Sequence, residues 1–299
     1  MKKYLPYIFI ILIGVLVMSY PRVSDYLSGR EHARVIDEYD QTVSNLTEER
    51  RYELLEEARA YNDALQRGES VSAVYYVETL NLGEVMGTLT IPKINVNLPI
   101  YHGTSEAVLQ KGIGHLEGTS LPAGDLNTHA VLTGHRGLPS STLLTHLDQM
   151  AVNDTFYISL LGSTMAYRVV SVLIIEPESY DSSVFALYPD KCLVTLLTCH
   201  PYGVNTHRLL VTGERVEDYD PTEFENYQKA EAQAVALKAT GTDEAEAETG
   251  FLFYIGTPRM VAEIAANRTR NGKAIALLCA LILFFVSVII RNYRHRGES

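Results

Sequence analysis

Between Leu80 and Val216 the chain alternates short β-rich runs with Gly, Pro, Asn and Asp, and this alternation limits its fold more than any other feature. The runs are Met86–Ile91, Val96–Tyr101, His129–Thr133, Thr155–Ser159, Met165–Ile175, Leu193–Cys199 and Arg208–Val211. β-Branched and aromatic side chains suit a pleated, half-buried surface, and the turn residues supply the backbone angles that reverse a chain. Seven or eight such strands call for a closed β-barrel or a sandwich. One helical stretch is expected among them, Ser141–Met150. Upstream, Val35, Ile36, Tyr39, Val43, Leu46, Leu54, Leu55, Tyr61 and Leu65 form a rough stripe at helical spacing, so residues 31–67 read as helix packing on the next domain. Thr47 is a weak helix start within it, because Arg50 stands where a capping box has Glu or Gln.

Two apolar runs bracket this region. Leu5–Tyr20 follows Lys2 and Lys3, and Ala274–Ile290 precedes Arg291, Arg294 and Arg296. The first is short for a span, but no small-residue cleavage site follows it, so it reads as a retained anchor. Basic residues on the outer flank of each run place both termini in the cytoplasm and residues 22–272 outside. The expected organisation is an anchor at 1–22, a helical flank at 23–77 and a β-domain at 78–217 that begins near Leu80 and folds without the flank. An acidic linker at 218–272, a transmembrane helix at 273–290 and a basic tail at 291–299 complete it. The net charge of −11, with no dominant basic patch, argues against nucleic-acid binding.

An exported domain meets a non-reducing environment, where cysteines are paired or used. Cys279 lies in the second apolar run. Cys192 and Cys199 stand in or beside one strand, about 23 Å apart at ~3.3 Å per residue, beyond disulfide reach and on opposite faces. Cys192 reads as a small core residue. Cys199 ends its run beside His200, and the turn residues Pro201, Gly203 and Asn205 precede Arg208 at the start of the next run. A thiol at one strand end and a guanidinium at the next is an arrangement for a nucleophile and its oxyanion. Among His102, His115, His129, His135, His146, His200 and His207, the best-placed proton donor is His135, in Thr133-Gly134-His135-Arg136-Gly137. His129, His135, His200 and Cys199 are also zinc-type ligands. The chain lacks Cys-x-x-Cys, His-Glu-x-x-His and any i, i+4 histidine pair, so neither metal nor cofactor is expected.

Thr195-Leu196-Leu197-Thr198-Cys199 resembles the signature of sortases. Thr206–Arg215 resembles their arginine strand, Thr133–Gly137 their histidine motif, Gly87–Ile94 their first barrel strand, and Gly114–Pro122 also fits. The resemblance covers about residues 80–216. The two anchors and the wording Cys-His-Pro-Tyr-Gly-Val-Asn-Thr-His-Arg are similar to class C, the pilus-building sortases. It implies a mainly β fold, a closed eight-stranded sortase-type barrel with N-terminal helices between two transmembrane helices. It also implies a cysteine transpeptidase that cleaves a Leu-Pro-x-Thr-Gly signal between Thr and Gly. Cys199 would form the thioester, His135 would move the protons, and Arg208 would hold the signal or the oxyanion. Thr198 is a candidate for positioning substrate. Val184, Phe185 and Leu187, in the loop Glu176–Asp190, are candidates for lining the groove. The partners implied are pilins bearing that signal, with a lysine as incoming amine; the protein itself is expected to be a monomer. Attachment of surface proteins to the cell wall, or a non-catalytic pilus-assembly role, are the alternatives. Many class C members carry an Asp-Pro-aromatic lid before the barrel. Residues 68–86 have no Asp-Pro, so an open or weakly lidded site is expected, with Tyr75 and Tyr76 as a possible substitute cover.

Overall fold

The structure, a computed structural model, describes residues 5–177, 182–222 and 224–230. The chain divides into two units, Met1–Tyr219 and Asp220–Ser299. Of the second, residues 224–230 are helical. The apolar run Ala274–Ile290, the basic tail and most of the expected linker lie outside the described residues.

Eight strands close into one barrel. They are β1 (Val85–Ile91), β2 (Val96–His102), β3 (Ile113–His115), β4 (Thr128–Thr133), β5 (Thr155–Leu160), β6 (Ser163–Ile175), β7 (Cys192–His200) and β8 (His207–Val216). The order around the barrel is β1-β2-β3-β4-β7-β8-β6-β5. β2–β3 and β4–β7 are parallel pairs, and the other pairs are antiparallel. Alternation sets the faces. Cys192, Val194 and Leu196 of β7, Leu209 and Val211 of β8, and Ala130 and Leu132 of β4 fill the core. The intervening residues therefore face outward. All seven expected runs are strands. The eighth, β3, has three residues, too few to show an alternation. Ser141–Met150 is not the expected helix: only Leu147–Gln149 coils, as a single 3-10 turn. Three hydroxyl residues, Ser141, Thr142 and Thr145, stand in this stretch, and such side chains compete for backbone hydrogen bonds and favour turns over a continuous helix.

Three helices precede the barrel. α1 (Leu5–Ser44) runs without a break from the apolar segment into the charged one, across the boundary expected at residue 22, with Pro21 inside it. It is long and apolar enough to cross a membrane. α2 (Glu48–Gln66) starts at Thr47, whose hydroxyl accepts from Arg50 N at 3.2 Å. The cap forms without a glutamate at the third position. α3 (Ala73–Glu78) is capped by Ser72. Leu54, Ala58, Tyr61 and Tyr76 of these helices belong to the same core as the barrel interior. The flank is thus part of the fold. α4 (Glu106–Leu109) follows β2 and is capped by Ser105.

Candidate active site

β7 and β8 pair so that Cys199 stands opposite Arg208 at the rim of the barrel, with His200 opposite His207 one step further. Both Cys199 and Arg208 are on the outward face, where Leu197, Thr195, Leu210 and Thr212 continue the surface. Cys199 is a free, half-buried thiol, whereas Cys192 is free and buried. Cys192 points into the barrel, where Thr128 and Tyr167 contact its sulfur at 3.6 and 3.8 Å. Burial pushes its thiol pKa up, which disfavours the thiolate.

The loop after β4 carries His135, and several contacts fix this loop to the end of β7 that bears Cys199. Gly134 N donates to Leu197 O at 3.1 Å, and the Thr198 hydroxyl donates to Gly134 O at 2.7 Å. Leu144 N donates to His135 O at 3.2 Å. Glycine lets the loop pack closely here: a Cβ at 134 would stand 2.8 Å from Ile113 Cδ1 and 3.0 Å from Leu144 Cδ1, and those side-chain tips would have to shift. Thr198, expected to touch substrate, is buried with its hydroxyl committed to this loop. His135 Nε2 lies 3.3 and 3.2 Å from the two carboxylate oxygens of Glu106. The Gln110 amide and then the His135 ring hold the Glu106 carboxyl below the usual carboxylate range.

Arg136, the next residue, is buried and joins three segments. Its Nη1–H donates to His200 Nδ1 at 2.8 Å, its Nε–H to Thr145 O at 3.0 Å, and Nη2 pairs with Asp148 at 2.6 Å. One guanidinium therefore ties the neighbour of His135 to the neighbour of Cys199. Arg208 Nη1 donates to Asn205 O at 3.2 Å and His207 O at 3.0 Å. Among the described residues no carboxylate forms an ion pair with it.

The β6–β7 segment leaves the rim at Ile175, level with Arg208, and re-enters at Cys192 at the other end. On the way it crosses the outer face of β4. Phe185 packs edge-on to His129 at 5.7 Å between ring centroids. His129 Nδ1–H donates to Ala186 O at 3.1 Å. His129 Nε2 then accepts from the Thr195 hydroxyl at 2.8 Å, and Thr195 meets Thr212 at 2.8 Å. Burial lowers the His129 pKa, which keeps that ring a neutral acceptor. Val184 and Phe185 are half-buried and Leu187 is exposed. Tyr76, offered as a cover for the thiol, is instead built into the wall. Gly103 N donates to its hydroxyl at 2.9 Å, and the hydroxyl reaches His115 Nδ1 at 2.9 Å. Among the described residues no group of three His, Cys, Asp or Glu side chains is arranged to hold a metal ion.

Of the three catalytic candidates, Cys199 and Arg208 meet at the rim and the loop of His135 is tied to the same strand end; Glu106 and the clamp from Arg136 to His200 were not among the sequence candidates. The helix-cap pattern Ser105-Glu106 was visible. Nothing in the sequence shows which histidine Glu106 meets across the rim.

A family model described as Sortase domain matches residues 89–216. Sortase D of Bacillus subtilis (strain 168) is 29% identical over 220 residues, covering 72% of this chain and 100% of that protein. The solved structure of sortase C1 from Streptococcus agalactiae is 41% identical, with a TM-score of 0.59, covering 62% of this chain and 100% of that one. Sortase C of Streptococcus pneumoniae, a structure described in terms of pilin substrate specificity, is 40% identical, with a TM-score of 0.58, over 63% of this chain and 99% of that one.

Proposed function

The chain belongs to the sortase family of cysteine transpeptidases, with class C members as structural relatives, and from that premise we propose that it joins pilin subunits at a membrane. In this reading Cys199 Sγ attacks the carbonyl carbon of the Thr–Gly bond in a Leu-Pro-x-Thr-Gly signal. The tetrahedral oxyanion lies toward the Arg208 guanidinium, whose planar donors suit it. His135 gives a proton to the departing glycine nitrogen as the C–N bond breaks, leaving a thioester. A pilin lysine amine then attacks the thioester. His135 takes the amine proton, Cys199 leaves as thiolate, and an isopeptide bond remains. Glu106 orients the imidazole. Val184, Phe185 and Leu187 line the groove for the leucine and proline of the signal, over a floor pinned by His129.

The observation that carries this reading is the register of β7 on β8. It sets Cys199 beside Arg208 on the outer face, while Thr198 holds the His135 loop from within. α1 is read as an anchor, and Ala274–Ile290 as a second span with both termini cytoplasmic. Incubating the detergent-solubilised protein with a candidate pilin and its sorting peptide tests the activity. Mass spectrometry should find the peptide, less its glycine and tail, on Cys199 and then on a pilin lysine. Adduct on another residue would overturn the assignment.

A further inference from the structure

α1 crosses the whole barrel, and the direction in which it does so fixes which end of the barrel meets the membrane. Its C-terminal half lies at the end remote from Cys199. The Tyr39 hydroxyl donates to Met86 O at 3.0 Å and accepts from Leu161 N at 3.0 Å, where β1 begins and β5 turns into β6. Val43 lies 3.4 Å from where a Cβ on Gly162 would stand. Its middle lies at the other end. The Ser28 hydroxyl donates to Ser140 O at 2.9 Å, and Asp25 accepts from Thr142 N and Thr142 Oγ1 at 2.6 and 2.7 Å. Residues 140 and 142 belong to the loop that His135 begins and that Arg136 clamps at Thr145. From Ser28 to Tyr39 the helix rises about 16 Å at ~1.5 Å per residue, a span comparable with the strands it passes. The apolar segment Leu5–Tyr20 therefore projects beyond the Cys199 end, and Asp25 is only ~8 Å of helix from Tyr20.

The span is also short. Leu5–Tyr20 covers about 24 Å against a hydrocarbon core of ~30 Å. A short span is accommodated by thinning the bilayer around it, which leaves the residues flanking it at the interface. That flank is apolar and exposed at Val23, Tyr26 and Leu27. On the same end, the β7–β8 loop exposes Tyr202 and Val204, at 60% and 64% of their surface. The Tyr202 ring covers Gly137, 2.9 Å from where a Cβ would stand and at a φ of +82° that strains any other residue, in the loop that α1 holds. The opposite end carries Glu117, Asp125 and the Lys191–Glu214 pair.

We propose that the catalytic end of the barrel rests on the lipid bilayer, with Tyr202 and Val204 of the β7–β8 loop and Val23, Tyr26 and Leu27 of α1 in its interfacial zone. Aromatic and apolar side chains favour that zone, where a ring meets headgroups. The groove then opens at the bilayer surface and takes a scissile segment lying within a few residues of a substrate's own membrane span. Soluble parts of the substrate point away from the site. The inference rests on reading α1 as a membrane helix and the Cys199 end as catalytic.

The absence of tryptophan makes the test direct. Single variants Val204→Trp, Leu126→Trp and Val15→Trp of the full chain are reconstituted in phosphatidylcholine–phosphatidylglycerol vesicles with acyl chains brominated near the headgroup. Leu126 is exposed at the far end, before β4, and Val15 lies in the apolar part of α1. Val204→Trp should be quenched several-fold more than Leu126→Trp, with blue-shifted emission, and Val15→Trp should be quenched as well. Quenching at Val15→Trp with Val204→Trp behaving like Leu126→Trp overturns the orientation and leaves the anchor intact. No quenching at Val15→Trp removes the anchor and the inference with it. Loss of transpeptidation in Cys199→Ala tests the catalytic reading independently of either result.

Discussion

Two cysteines on one strand differ in everything that matters for reactivity. Cys192 is held inside the barrel by Thr128 and Tyr167, and Cys199 faces out beside Arg208. Cys199→Ala should abolish thioester formation and isopeptide product, while Cys192→Ser keeps most of the activity; intact-mass measurement of the acyl-enzyme decides both. Retained polymer formation in Cys199→Ala would sink the mechanism. Arg208→Lys keeps the charge but loses the fork that reaches two acceptors. Turnover should fall at least ~10-fold with thermal unfolding unchanged, and near-normal turnover would reduce Arg208 to a general positive field. Arg136 acts at one remove. Arg136→Lys retains an ion pair to Asp148 but cannot also reach Thr145 O and His200 Nδ1. It should lower kcat more than it raises KM, because the loosened element is the tie between the His135 loop and the end of β7. Cys199, His135 and Arg208 could be singled out as candidates because each lies in a short motif at or beside a strand end. The Arg136–His200 contact was not, although both residues sit inside those motifs, since a bond between positions 64 apart depends on how β4 and β7 are joined.

At the level of elements, periodicity carried the strands with a face to bury and failed where local pattern was absent. β3 is too short to alternate, and α3 is a six-residue helix whose one buried residue, Tyr76, gives no stripe. Yet these two elements hold each other. His115 of β3 is fully buried, donates Nε2–H to Ser120 O at 2.8 Å, and takes the Tyr76 hydroxyl at Nδ1 at 2.9 Å. Desolvation pushes its pKa down to about 4. A folded-state value below the unfolded ~6.5 means that the unfolded chain binds the proton more tightly. The stabilisation is therefore complete above about pH 6.5 and is lost as pH falls toward 4. At ~1.4 kcal/mol per unit the loss is of order 3 kcal/mol. Burial depresses His102, stacked edge-on against Tyr76, in the same direction. Urea unfolding at pH 7 and pH 4.5 should differ by about that amount in the parent and by clearly less in His115→Gln, whose amide does not titrate. Equal pH slopes would mean that carboxylates, not this histidine, set the acid limb.

For the whole molecule, the boundary near Leu80 marks where strand chemistry begins, not where the fold does. The sequence pattern separates a helical flank from a barrel because periodicity is a local property. Burial is not local, and it joins them. Leu54, Tyr61 and Tyr76 lie in the barrel's own core, and Asn62 exchanges hydrogen bonds with Leu121, its Nδ2 reaching Leu121 O at 3.1 Å and its Oδ1 accepting from Leu121 N at 2.7 Å. Tyr39 and Val43 close the end where β5 turns into β6. Removing these five side chains uncovers apolar surface worth ~1.5–3 kcal/mol each, about 7–15 kcal/mol in all as an upper bound. It also strands Asn62's partner, Leu121, whose backbone groups are buried. A chain of residues 31–218 should therefore unfold cooperatively in urea, while one of residues 78–218 should lack a cooperative transition and bind a dye for exposed apolar surface. If the shorter chain unfolds with the same midpoint, α1 and α2 are an appendage, and the orientation proposed for the Cys199 end cannot be transmitted through them. If it fails to fold, the helical flank and the barrel that holds Cys199 are one cooperative body, which is the condition for α1, read as the anchor, to set where the candidate site sits.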